Sequence, residues 1–72
     1  MPEYIIIIIE KAEGNYSAYC PDLPGCIATG STIEETVMMM RVALALHIEE
    51  LKEEEITIPE PFTKAVSIEV AV

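Results

Sequence analysis

Two stretches dominate the hydrophobic pattern of the chain. Residues 4–9 read YIIIII, a solid β-branched and aromatic block between Glu3 and Glu10. Residues 65–72 instead alternate, with Val66, Ile68, Val70 and Val72 on one side and Ala65, Ser67, Glu69 and Ala71 on the other. The block predicts a buried first strand, and the period of two predicts a last strand with one lightly covered face. Between them, KAEGN places Gly14 and Asn15 where a tight hairpin needs positive φ, and YSAYC and CIATG read as second and third strands. After Gly30, the STIEE stretch offers Ser31 or Thr32 as helix N-cap, with Glu34 or Glu35 placed for a capping box. Ile33, Val37, Met40, Leu44, Ile48 and Leu51 then recur every three or four residues, one apolar stripe along about six turns. Glu49, Glu50, Glu53, Glu54 and Glu55 crowd the end of that helix against its dipole, so its last turn is expected to fray before the prolines of ITIPEP.

The predicted order is therefore β-β-β-α-β, an α+β fold. A right-handed crossover through the helix lays the fourth strand parallel to the first, in a four-stranded sheet of order 3-2-1-4 with one long helix on one face. In the first strand Ile5, Ile7 and Ile9 point one way, and Tyr4, Ile6 and Ile8 the other. A single helix covers only one set. Exposing the other would forgo roughly 1.5–3 kcal/mol per isoleucine and leave a patch that soluble monomers rarely show. A second copy is the expected cover, and Ile5, Ile7 and Ile9, one of the two faces of strand one, are assigned to that contact.

Length points the same way. Residues 1–72 make one domain, and a domain of this size buries only about 60% of its unfolded surface, so a dimer or tetramer is the natural supplement. Thirteen acidic residues against four basic ones give a net charge of −9, which repels phosphate backbones and anionic lipid and argues against direct nucleic-acid or membrane binding. The apolar block is too short to span a bilayer and has no basic segment before it. Two cysteines make no disulfide framework, and a reducing cytoplasmic setting is expected.

The stretch YCPDLPGC concentrates the candidate chemistry. A closed zinc site needs four ligands, and His47 alone could join Cys20 and Cys26. A C-x-x-C redox spacing is absent, and a disulfide across the turn is disfavoured by the inferred compartment. A stiff connection accounts for the residues better: Pro24 and Gly25 suit the centre of a type II turn, and Leu23 can plug the sheet edge. Catalysis lacks a base, since His47 lies mid-helix between Leu46 and Ile48, and a metal hydrolase using Asp22 lacks convergent ligands. No cofactor, metal or catalytic residue is assigned. Met38, Met39 and Met40 are consecutive and cannot all face one sheet; with Met40 in the stripe, Met38 and Met39 fit an adaptable protein-binding surface or ordinary boundary positions.

YSAYCPDLPGCIATGSTIEET, followed by ALALHIEEL and IPEP, resembles the HicB-like antitoxin family over residues 4–62. The resemblance implies a partial ribonuclease H-like fold of the same β-β-β-α-β order. It also implies an antitoxin of a type II toxin-antitoxin system that binds a small basic RNA-cleaving toxin, HicA, and covers its active surface. Many family members carry a DNA-binding segment after this domain; the sequence departs from that pattern at Val72 and reads as a short form without it. On this reading Met38, Met39, Arg41, Glu49, Glu50 and Glu53 are the expected toxin contacts. The alternative is a stand-alone oligomeric structural or small-ligand-binding module without catalytic activity.

Overall fold

The computed structural model describes residues 4–72; Glu3, the expected boundary of the first strand, lies outside them. Strands β1 (Ile8–Ala12), β2 (Asn15–Tyr19) and β3 (Ile27–Gly30) precede helix α1 (Ile33–Glu53). The strands form one antiparallel sheet in the order β1-β2-β3.

The hairpin sets the register. Ala12 faces Asn15, so only Glu13 and Gly14 turn the chain; Gly14 takes φ 81°, while Asn15 is already in β2. Pairing then runs back to Ile8 opposite Tyr19 and stops, because the chain turns at Cys20 and Pro21 carries no N–H. β1 is thus displaced toward its polar end relative to the expected 4–9 strand. Residues 4–7 run past the end of β2 and stay outside the ladder.

Register also decides which isoleucines meet the helix. Ile9, Ala18 and Ala28 stand in one row across the sheet, and Ile8, Tyr19 and Ile27 in the next. The first row faces α1: Ala18 is buried with Cys20, Leu23, Cys26 and Met40, and Ile5, Ile7, Ile9, Ala28, Ala43, Leu44 and Leu51 pack around them. Ile5, Ile7 and Ile9, expected at an oligomer contact, thus lie on the helix side of the sheet, each only half-buried. In the other row, Ile8 continues into Tyr19 and Ile27, which are exposed on the face away from α1.

The expected stripe on α1 is seated through Met40, Leu44 and Leu51, whereas Ile33 at its start is about half exposed. Thr36 takes the buried place in that first turn, its hydroxyl donating to the Thr32 carbonyl at 2.7 Å. A Cβ on Gly30 would lie 2.6 Å from Thr36 Oγ1 and 2.8 Å from its backbone nitrogen, so only glycine lets β3 approach the helix so closely. Thr32 is the N-cap, accepting from the Glu35 N–H at 3.0 Å, and the Glu35 carboxylate accepts from the Ser31 N–H at 3.3 Å. That is a capping box reaching one residue further back than usual.

The end of the helix does not fray. Ile56 N–H donates to the Leu51 carbonyl at 2.8 Å and Glu55 N–H to the Lys52 carbonyl at 3.1 Å, the two bonds of a Schellman motif. Glu55 holds the left-handed position at φ 57°, where glycine is usual. Satisfied carbonyls outweigh the unfavourable charge of the glutamates there.

Residues 64–72 form no strand, so the expected fourth strand beside β1 is absent from the sheet among the described residues. Alternation makes a segment fit for a sheet, but a strand exists only where its N–H and C=O groups meet an edge.

Candidate functional site

The loop between β2 and β3 is two turns in succession. Leu23 N–H donates to the Cys20 carbonyl and Cys26 N–H to the Leu23 carbonyl, each at 3.2 Å, and Cys20 N–H closes the loop onto the Cys26 carbonyl at 3.2 Å. Pro24 and Gly25 sit at the centre of the second turn, where Gly25 takes the φ of 88° that a type II turn requires. Leu23 is inserted into the core as expected. The cysteines flanking the loop are more deeply buried than a strand-edge position implies, and both are free thiols. Burial pushes the Cys26 thiol above its ordinary range, and the neighbouring Cys20 adds to the shift. A thiol held neutral is a poor nucleophile and a poor metal ligand. Among the described residues, no group of three or more His, Cys, Asp or Glu side chains is placed to hold a metal ion.

Asp22 has a different use from any that spacing suggested. Its carboxylate is buried and accepts from Thr63 twice, at Oδ1 from the hydroxyl (2.5 Å) and at Oδ2 from the backbone N–H (3.3 Å). The acid of the PDLPGC loop therefore pins the chain at the root of the 64–72 segment, forty-one positions away.

Two surfaces among the described residues involve the helix. At about 100° per residue, Met38, Val42, Leu46, Glu49 and Glu53 fall within one face of α1, opposite buried Met40. Met38, Val42 and Leu46 are each more than half exposed, with Met39 on their flank. The structure thus groups four of the expected contacts, Met38, Met39, Glu49 and Glu53, on the outer face. Glu50 lies on its margin, and Arg41 is turned to the other side of the helix. Val42 and Leu46 were missed; their i, i+4, i+8 relation to Met38 is the signal that finds them. His47 is half-buried at the back of this face.

The second surface is a groove of about 550 Å³ between the start of the chain and the helix, lined by Tyr4, Ile5, Ile7, Ile9, Val37, Met40, Arg41 and Leu44. Among the described residues that line it, Arg41 alone is charged. No described helix is long and apolar enough to cross a membrane.

Comparison with known proteins gives this arrangement a context. A family model described as "HicB_like antitoxin of bacterial toxin-antitoxin system" matches residues 4–70. A UPF0150 protein of Synechocystis is 36% identical over 56 residues, 78% of this chain and 71% of that one. A UPF0150 protein of Thermoplasma acidophilum is 30% identical over 66 residues, 92% of this chain and 96% of that one. Among solved structures, a chain of the HicA3 and HicB3 toxin-antitoxin complex superposes with a TM-score of 0.68 at 33% identity, covering 85% of this chain and 70% of that one.

Proposed function

This chain belongs to the family of HicB-like antitoxins of bacterial toxin-antitoxin systems, and from that premise we propose that it binds a HicA-like RNA-cleaving toxin and occludes its active surface. The observation that carries this reading is the outer face of α1, where exposed Met38, Val42 and Leu46 lie beside Glu49 and Glu53. A net charge of −9 speeds encounter with a basic toxin, and the flexible apolar side chains slow release once seated. Glu50 extends the acidic margin, and Arg41 meets the toxin only if the contact wraps round to the groove side of the helix. The likeness to a chain from a solved toxin-antitoxin complex supports the choice of partner.

On this reading the protein works by steric and electrostatic masking, with neither catalytic step nor cofactor. It acts in the cytoplasm as a homo-oligomer, a dimer or tetramer, and does not itself hold nucleic acid, which its charge repels. The four-stranded order 3-2-1-4, and with it the partial ribonuclease H-like arrangement, belongs to the assembled state.

The test is titration of a purified HicA-like toxin with this protein while RNA cleavage is followed. Cleavage should fall to background near equivalence, and Leu46→Glu should weaken inhibition about tenfold or more, as expected for loss of an apolar anchor. Undiminished cleavage at excess protein, with no complex on gel filtration, overturns the proposal.

A further inference from the structure

The same chain carries an apolar strand with no edge and an apolar edge with no strand. Val66, Ile68 and Val70 are 77%, 78% and 69% exposed, on a segment whose period of two is that of a sheet. β1 is an edge strand, since the sheet order places β2 on one side of it and no described strand on the other. Residues 4–7, which lead into it, have no strand partner among the described residues. Beyond helix and ladder bonds, no backbone–backbone hydrogen bond among the described residues involves 4–7 or 64–72.

The chain also exposes too much surface to be complete alone. Its accessible area is 6081 Å², whereas a folded monomer of 8.0 kDa is expected to show about 4,450 Å². The excess of roughly 1,600 Å² per copy is twice the ~800 Å² that each partner buries in a standard stable interface. The radius of gyration, 14.0 Å, likewise exceeds the ~11 Å of a compact chain of this length. Its longest dimension, 48 Å, runs well beyond the ~31 Å of a 21-residue helix.

We propose that residues 64–72 of one copy add as a strand to the free edge of residues 4–9 in a second copy, and that the exchange is reciprocal. Strand addition supplies backbone hydrogen bonds, and alternate side chains give it register. Val66, Ile68 and Val70 would enter the groove beside Ile5 and Ile7, leaving Ser67 and Glu69 on the outer face. A second copy is favoured over a foreign segment because every chain carries one such segment and one such apolar β1 edge. The contact is then the same in both directions, and two copies satisfy both 64–72 segments and both β1 edges, leaving only the β3 side of each sheet as it was. The two hydrogen bonds that Thr63 donates to the Asp22 carboxylate fix where each segment leaves its own subunit. This inference rests on the homo-oligomeric reading above and is independent of the toxin.

Sedimentation and amide hydrogen exchange on the full chain test it, with Ile68→Lys and Ile68→Pro as variants that burden only a segment the subunit itself does not bury. The expected results are a dimer, or an even multiple of one, at micromolar concentration, and protection of amides in 4–9 and 64–72 that is lost from both together on dilution. Both variants should sediment as monomers with unchanged helical circular dichroism. A dimer that survives in both variants, or that leaves 64–72 unprotected, overturns the exchange while sparing the homo-oligomer. A monomer overturns both, and protection independent of concentration would place the fourth strand within its own chain.

Discussion

Residues 20–26 and 64–72 are both short and rich in apolar side chains, and Asp22 of the first hydrogen-bonds Thr63 just before the second, yet they are held in opposite ways. The loop spans seven residues closed by three backbone hydrogen bonds of its own, and Cys20, Leu23 and Cys26 are all buried in the core. The 64–72 segment has stronger strand propensity and almost no internal means of satisfying its backbone. Its apolar side chains Val66, Ile68 and Val70 are largely exposed. Local closure makes structure that needs no partner, whereas alternation makes structure that waits for one.

Breaking the closed region should have the largest effect. Leu23→Ala empties a fully buried site at the centre of the two turns and should cost about 2–5 kcal/mol, measured by urea denaturation. Next, Asp22→Ala removes both acceptors of Thr63 and should cost about 1–3 kcal/mol. It should also raise amide exchange at Thr63 while leaving that of Cys26 unchanged, which separates the anchor from the turns. A smaller change of opposite sign is expected at the helix terminus. Glu55→Gly relieves a left-handed residue and removes a carboxylate from the negative end of the dipole, raising stability by about 1 kcal/mol. Least of all, Ile68→Lys should alter the stability of the dissociated subunit by no more than about 0.5 kcal/mol, the ordinary range for an exposed site. A large loss there at nanomolar concentration would show the segment to be as much a part of its own subunit as the loop is.

Much of the fold is legible wherever the information is local. Pro24 and Gly25 announce their turn, Thr32 and Glu35 the start of the helix, and the three-four spacing through Met40 and Leu44 its buried side. The helix terminus was misread because a glutamate in the left-handed position carries no mark; the Schellman bonds appear only once the chain has turned at Glu55. Of the candidate site, the methionines and glutamates of the outer helix face were visible from composition and spacing. Val42 and Leu46 were not, because a leucine or valine on a helix looks like core until the opposite side is known to be filled. Asp22 was out of reach altogether, its partner being forty-one positions distant.

The first strand shows most plainly where sequence gives way to three-dimensional packing. That residues 4–9 are suited to a sheet follows from six consecutive β-branched or aromatic residues, although only Ile8 and Ile9 of them enter the ladder, and that one side must face the helix follows from alternation. Which side could not follow, because Ile5, Ile7 and Ile9 are chemically the same as Ile6 and Ile8. The choice fell to the two-residue turn at Glu13 and Gly14, which set Ile9 opposite Ala18 and turned the odd-numbered isoleucines inward. Composition and period settle what each segment is able to become, since both depend on neighbours along the chain. Facing and pairing depend on edges brought together from distant segments or from another molecule, and these exist only after folding.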